Sequence, residues 1–272
     1  MISNKIWLPE VKRDVISGDI INWYNNVPIE YAQGILPDPY QEKFYDYYYE
    51  AGLLNNHFKF NFFHHHYSRP LYIAISHLFR KITTIKILDI GCGMGSQSLL
   101  FALLGAEVVG IDMDSDALEI FRLRKEFYEK LSKRPLKITT YCANAFSADY
   151  TSYGPFDGVY SLFAFNMMQP SQKLLDTICP HLNSGALFIV QDGNKNMWFN
   201  RLFRCRAVLS KEELHDKLRE RGFYDVKSIG GYAMPPVLWQ IFPNQILQPM
   251  DSCMVKNTLL AVSYLHMARF RG

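Results

Sequence analysis

The sequence predicts an α/β fold: a Rossmann-like, seven-stranded, mostly parallel sheet with helices on both faces and an antiparallel last strand. Three observations support this prediction. From residue 85 onward, short runs rich in Val, Ile, Leu and Phe alternate with helical stretches. The first run leads through the glycine turn "DIGCGMG" into a helix. The last two runs are joined by residues 230–255, which hold four prolines and show no helical period, so the last strand is free to pair antiparallel.

Seven stretches are rich in strand-forming residues and bounded by Gly, Pro, Asp or Asn. They are Ile85–Ile90, Glu107–Asp112, Lys137–Cys142, Phe156–Leu162, Ala186–Gln191, Asp225–Ile229 and Leu259–His266. Helices fit between them at Ser96–Leu104, Ser115–Leu131, Ser171–His181 and Lys211–Arg221. The last helix has the clearest boundaries, because Ser210 and Glu213 form a capping box before it and Gly222 ends it.

Two further segments lie outside this alternation. Residues 1–80 are rich in aromatic side chains, as in "YQEKFYDYYYE" and "HFKFNFFHHHY", and precede the domain of residues 81–272. A Pro-rich insertion occupies residues 232–255 within that domain. Open α/β sheets bind ligands at the carboxyl ends of their strands, so we expect both segments to form a helical and aromatic cap over that edge. The tyrosines of Tyr45–Tyr49 also fit a second interpretation, a core stripe on a helix.

Composition excludes several classes of protein. The net charge of +3 comes from scattered basic residues, which disfavours a nucleic-acid partner. Five cysteines without a C-x-x-C pair predict neither a disulfide framework nor a zinc site. The adjacent histidines 64–66 lack metal-ligand spacing, so no metal is predicted. No signal peptide and no apolar run of about 18 residues is visible, which predicts a cytoplasmic protein without a transmembrane segment. The oligomeric state is not predicted.

The glycine turn indicates a nucleoside-containing ligand. Gly91, Gly93 and Gly95 give G-x-G-x-G, one residue away from the dinucleotide fingerprint G-x-G-x-x-G. Asp89 precedes the turn, and Asp112 ends the next strand, where a carboxylate can accept hydrogen bonds from ribose hydroxyls. Glycines let the backbone approach a ligand, and the following helix presents unpaired N–H groups.

With these acids, "LDIGCGMG" resembles the first motif of class I S-adenosylmethionine-dependent methyltransferases. The resemblance covers roughly residues 85 to 270 and implies S-adenosyl-L-methionine as cofactor. It implies that Asp89 fixes the loop and the amino end of the ligand, that Asp112 binds the ribose and that Met113 lies against the adenine. The family's usual acid–Ala pair is Asn144–Ala145 here. The strand that would face the methyl group lies in "GPFDGVYSLFAFNMM". The cofactor-binding residues implied are Asp89, Gly91, Cys92, Gly93, Gly95, Asp112, Met113, Asn144, Ala145 and Ser161.

The function implied is methyl transfer to a small organic or lipid-like acceptor, with O-, N- and C-methylation all open. Methyltransferases that act on the exocyclic amines of nucleic-acid bases carry Asp or Asn followed by Pro-Pro and an aromatic residue at the fourth strand. This sequence has "SLFAFN" there, which disfavours that activity. Asn166 and Met167 replace the Glu-His pair frequent in quinone-biosynthesis O-methyltransferases, so no catalytic residue is assigned. The alternatives are a protein or RNA methyltransferase and a non-catalytic module with the same fold. An NAD-dependent oxidoreductase remains a further alternative, disfavoured by the displaced third glycine.

Overall fold

The computed structural model describes residues 5–10, 15–50, 53–54, 67–80, 85–197, 209–234, 238–255 and 260–272. Its helices are α1 (Ser17–Tyr24), α2 (Asn26–Ala32), α3 (Asp38–Glu50), α4 (Arg69–Leu78), α5 (Ser96–Leu103), α6 (Ser115–Ser132), α7 (Tyr150–Tyr153), α8 (Ser171–Ile178), α9 (Lys211–Glu220), α10 (Leu238–Ile241) and α11 (Asn244–Met254). Its strands are β1 (Lys86–Ile90), β2 (Glu107–Asp112), β3 (Ile138–Cys142), β4 (Phe156–Leu162), β5 (Leu182–Gly193), β6 (Phe223–Gly230) and β7 (Ser263–Phe270).

The strands form one sheet in the order β3-β2-β1-β4-β5-β7-β6. Strands β1 to β5 pair in parallel, whereas β7 runs antiparallel to both of its neighbours, β5 and β6. The predicted Rossmann-like fold with an antiparallel last strand is therefore confirmed. Since β1, β2 and β4 run in the same direction, the turns after Ile90, Asp112 and Leu162 meet at one edge of the sheet, the carboxyl edge.

Side chains alternate between the two faces of the sheet, and each face has its own core. On one face Ile87 and Val108 pack with α5 and α6, and on the other Leu88 and Val109 pack with α8 and α9. The N-terminal helices share the first of these cores, to which α1, α3 and α4 contribute Trp23, Phe44 and Ile75. The described N-terminal helices therefore pack against one face of the sheet domain.

The connection before β7 differs from the prediction. Residues 230–255 were expected to be non-helical, but they contain α10 and α11. Leu247 is buried and Met254 packs half-buried against Trp239, which gives α11 an apolar face despite Pro249 within it. The expected antiparallel pairing is present although its stated reason was wrong. The last strand also lies further along the chain than expected, at Ser263–Phe270 rather than Leu259–His266.

Helix boundaries agree with local chemistry. The Ser210 hydroxyl accepts from the Glu213 N–H at 3.1 Å, and the Glu213 carboxylate accepts from the Ser210 N–H at 2.6 Å, so the predicted capping box is confirmed. Gly222 ends this helix at φ +82°. The helix expected at Ser171–His181 instead stops at Ile178 and continues as a 3-10 turn over Cys179–His181, because Pro180 supplies no N–H. Within the described ranges, no helix combines the length and apolarity needed to cross a bilayer.

Candidate functional site

The glycine loop joins β1 to α5 at the carboxyl edge, and all three of its glycines have left-handed backbone angles. Gly91, Gly93 and Gly95 have φ values of +73°, +50° and +78°. A Cβ at Gly91 would lie 2.3 Å from the Cβ of Ala164, and one at Gly95 would lie 2.2 Å from the Phe121 ring. A Cβ at Gly93 would meet nothing within 4 Å. The outer two glycines therefore allow close packing, whereas the middle one leaves an open side on the loop.

Asp112 stands next to this open glycine. Its Oδ2 accepts from the N–H of Gly93 at 2.8 Å, and its Oδ1 accepts from the N–H of Asp114 at 2.9 Å. The carboxylate is half-exposed, so it has acceptor capacity left for a ligand. The sequence placed Asp112 and the loop at two strand ends, and the structure brings them into direct contact.

Asp89 and Cys92 are both buried beneath the loop. Asp89 accepts from the Ser98 hydroxyl at 2.6 Å, which ties the end of β1 to α5. Burial raises the pKa of Asp89 to about 7, an effect that the Ser98 hydrogen bond partly offsets and the charge of Asp112 reinforces. The Cys92 thiol points toward β2, where Gly110 leaves room for it, and burial raises its pKa. Cys92 therefore offers a ligand its backbone rather than its sulfur.

The remaining predicted residues lie at the carboxyl ends of β2, β3 and β4. Met113 is 70% exposed beside it. The Asn144 Oδ1 accepts from the Phe146 N–H at 2.9 Å, and Ala145 next to it is buried. The structure holds Asn144 near Asp112, since the Ala143 N–H donates to the Asp112 carbonyl. Ser161 is fully buried and donates to the Ile90 carbonyl at 2.8 Å, so its hydroxyl joins β4 to β1.

Tyr48 of α3 reaches the glycine loop, and Tyr47 packs edge-on against the Tyr48 ring. Tyr48 is buried with its hydroxyl 2.5 Å from the Ser96 Oγ at the start of α5. Tyr47 is 54% exposed, yet burial raises its pKa, and the charge of Asp112 adds to this rise. Tyr48 therefore lies in the core, whereas Tyr47 lies on the surface within range of the Asp112 charge.

Sequence reasoning missed Asp192 at the carboxyl end of β5. Its Oδ2 accepts from the N–H of Asn166 at 3.0 Å, in the turn after β4, and the side chain is buried. Burial raises the pKa of Asp192 to about 8, although the Asn166 hydrogen bond lowers it. The Asn166 amide oxygen is also buried and has no partner in the described part of the chain. The signal available in the sequence was the position of this acid at the end of the apolar run in "FIVQDGN".

The histidines 64–66 lie outside the described residues, and those that are described include no group of three or more metal-ligating side chains. A concave pocket does occur at the opposite, amino edge of the sheet, lined by His77, Arg80, Asp157 and Arg269 among others. It is remote from the glycine loop, so its position gives it no part in nucleoside binding.

Comparison with known proteins agrees with this geometry. Residues 87–185 match the family model described as a methyltransferase domain. A 38-residue stretch is 53% identical to the ubiquinone biosynthesis O-methyltransferase of Proteus mirabilis (strain HI4320), but covers 14% of this chain and 16% of that protein. The chain thus spans about a sixth of the length of the curated relative it matches.

Solved structures share the fold over most of the chain. The magnesium protoporphyrin IX methyltransferase of Synechocystis PCC 6803, solved with bound SAH, aligns with a TM-score of 0.60 and 14% identity over 88% of this chain and 99% of that one. The phosphoethanolamine N-methyltransferase 2 of Haemonchus contortus, in complex with S-adenosyl-L-methionine, aligns with a TM-score of 0.54 and 18% identity over 75% of this chain and 53% of that one. At these identities the likeness concerns the fold alone.

Proposed function

We propose that this protein is a class I S-adenosylmethionine-dependent methyltransferase, since residues 87–185 match the methyltransferase-domain model, and that it transfers a methyl group to a small organic or lipid-like acceptor. The observation that carries the proposal is the hydrogen bond from the Gly93 N–H to Asp112, next to a side of Gly93 that no other atom of the described residues covers. That pairing offers a ribose-binding carboxylate beside backbone that a ligand can touch. S-adenosyl-L-methionine, when bound, supplies a methyl group on a positively charged sulfur.

Each part of the site has a role in this proposal. Asp112 binds the ribose, and the exposed Met113 covers one face of the adenine. Asn144 lies at the adenine end, although its Oδ1 already accepts one N–H. The glycine backbone and the N-terminus of α5 bind the methionine portion, since the first N–H groups of a helix have no partners within it. Asp89 supports the loop from below through Ser98 rather than facing solvent.

The acceptor side of the proposed site combines an N-terminal ring with the insertion. Tyr67, just before α4, stacks edge-on against Phe163 with centroids 5.4 Å apart. Phe163 follows β4 and has a φ of +54°, a costly angle for a non-glycine residue that suggests a functional constraint. Tyr67 also packs against the small core formed by Met234, Trp239 and Leu247. These contacts support a cap made from residues 1–80 and 232–255, whose apolar rings favour a small or lipid-like acceptor over a polymer.

Asp192 supports a route for the acceptor's proton. A hydroxyl group must lose its proton when its oxygen gains a methyl group, whereas a neutral amine attacks before losing one. Asn166 stands where quinone-biosynthesis O-methyltransferases often have a glutamate. Its backbone N–H donates to Asp192 and so holds this carboxyl group at the carboxyl edge of the sheet. Since burial raises the pKa of Asp192 to about 8, the fraction of Asp192 that is ionised increases as pH rises through about 8. If the ionised carboxylate accepts the acceptor's proton, the rate of O-methylation increases over the same pH range.

The test is a calorimetric titration with S-adenosylhomocysteine, with NAD as the control ligand. We expect binding of S-adenosylhomocysteine that Asp112→Ala abolishes and Asp116→Ala, an exposed acid on the next helix, leaves unchanged. Transfer of labelled methyl groups to phenol and amine acceptors then identifies the atom methylated. Binding of NAD instead would favour an oxidoreductase, and binding of neither ligand would refute the proposed cofactor site.

A further inference from the structure

A buried ion pair connects the N-terminal helices to α6. The Arg124 Nε donates to Glu30 Oε2 at 2.7 Å, and its Nη2 donates to Glu30 Oε1 at 3.0 Å. The Tyr128 hydroxyl donates to the same Glu30 Oε1 at 2.6 Å. Neither side chain of the pair is more than 1% exposed. Such a two-pronged contact fixes the guanidinium plane as well as its charge.

The remaining edge of the guanidinium faces the glycine loop. Arg124 Nη1 donates to the Met94 carbonyl at 2.6 Å, to the Tyr48 hydroxyl at 2.9 Å and to the Ser96 Oγ at 3.1 Å. Met94 stands between Gly93 and Gly95, so Arg124 holds the loop from its buried side. Trp23 adds a second contact from the N-terminal region, since its Nε1 donates to the Ser96 carbonyl at 3.0 Å.

Arg124 keeps its positive charge in this buried position. Burial alone would lower the pKa of Arg124, but the carboxylate of Glu30 outweighs that effect and the pKa lies above its ordinary value. Arg124 is thus a permanent cation held between an acid of α2 and a carbonyl of the loop. A buried pair of this kind is often no better for stability than apolar residues of equal volume, so stability alone is a weak reason for its presence.

We propose that Glu30 and Arg124 are positioning residues for the cofactor, which set the glycine loop so that Gly93 meets Asp112. This inference rests on the proposed function. Loss of the Arg124 contacts would leave the Met94 carbonyl free to turn, and the Gly93 N–H, two peptide units earlier in the same loop, would lose its alignment with the Asp112 carboxylate. The N-terminal helices α2 and α3 are then part of the cofactor site as well as of the cap.

The experiment is a titration with S-adenosylhomocysteine of the wild type, Arg124→Lys and Tyr48→Phe. A lysine keeps the charge but cannot reach Glu30 and Met94 at once. Loss of one charge-assisted hydrogen bond weakens a site by about tenfold or more, which is the expected rise in Kd for Arg124→Lys. Tyr48→Phe removes only a hydroxyl next to Arg124 and is expected to raise Kd by about threefold.

The control is Arg122→Lys, which alters an exposed ion pair with Glu119 on the same helix, α6, and should leave Kd unchanged. Each titration is made at a temperature where circular dichroism shows the variant folded, and amide exchange at residues 93–96 reports the ordering of the loop. Faster exchange there with weaker binding supports the inference. Folded variants with wild-type Kd would overturn it, and Tyr48→Phe decides if Arg124→Lys does not fold. A wild type that binds no S-adenosylhomocysteine would instead overturn the proposed function, and this inference with it.

Discussion

Two glycines of one loop should respond differently to the same substitution, Gly95 mainly in stability and Gly93 mainly in ligand binding. Gly95→Ala places a Cβ 2.2 Å from the Phe121 ring, which is fully buried and cannot move aside. The left-handed backbone costs an alanine about 1–2 kcal/mol, and overpacking of a core adds about 1–3 kcal/mol. Gly93→Ala has the same backbone penalty but meets nothing within 4 Å. The free energy of unfolding should therefore fall by about 2–5 kcal/mol in Gly95→Ala and by about 1–2 kcal/mol in Gly93→Ala.

Ligand binding should show the reverse order. The open side of Gly93 is where we place the cofactor, so Gly93→Ala should weaken S-adenosylhomocysteine binding more than its stability cost suggests. Urea unfolding without ligand and calorimetry with ligand separate the two effects. Gly34→Ala, also at a left-handed glycine with open space, controls for the backbone penalty and should bind normally. Equal destabilisation of Gly93→Ala and Gly95→Ala, or undiminished binding by Gly93→Ala, would refute this reasoning.

Three further predictions concern stability and pH. Asp89, with a pKa raised to about 7, holds a proton in the folded state that the unfolded chain has lost, so its contribution to stability is present below about pH 4 and lost as pH rises through 7. The urea midpoint of the wild type should fall as pH rises, and in Asp89→Asn the part of this fall that ends near pH 7 should be missing. Asp192→Asn should likewise remove the part of the fall in urea midpoint that ends near pH 8. A pH dependence of the midpoint that stays unchanged in a variant would contradict the raised pKa of the carboxyl group replaced in it. Ser210→Ala should cost about 1 kcal/mol in urea unfolding and Ser210→Thr much less, since threonine retains the capping hydroxyl.

The local elements of the fold were accessible from the sequence because their signals are local. The capping box of Ser210 and Glu213 depends on residues three apart, and the glycine turn depends on a spacing of two. Both signals survive any tertiary arrangement. The helix α11 was missed because Pro249 argues against a helix locally, while the burial of Leu247 against Trp239 is a tertiary contact. Packing decided there against propensity.

The candidate site divides in the same way. The glycines and the two acids could be assigned to the ends of β1 and β2, since parallel strands bring their carboxyl ends together. Nothing local indicates that Glu30 and Arg124, 94 positions apart, share two hydrogen bonds. Asp192 likewise gains its raised pKa from burial beside Asn166, which no spacing rule contains.

The sequence by itself determined the class of fold, the glycine loop and the identity of the carboxylate at the end of β2, because periodicity, glycine angles and strand ends are written in neighbouring residues. Only the tertiary structure decided what surrounds the loop. The N-terminal helices share the core beneath it, Arg124 clamps its buried side, and Asp192 lies at the same edge of the sheet. These are contacts between distant residues, selected by which apolar faces can be buried together and by the high cost of leaving a buried charge without a partner.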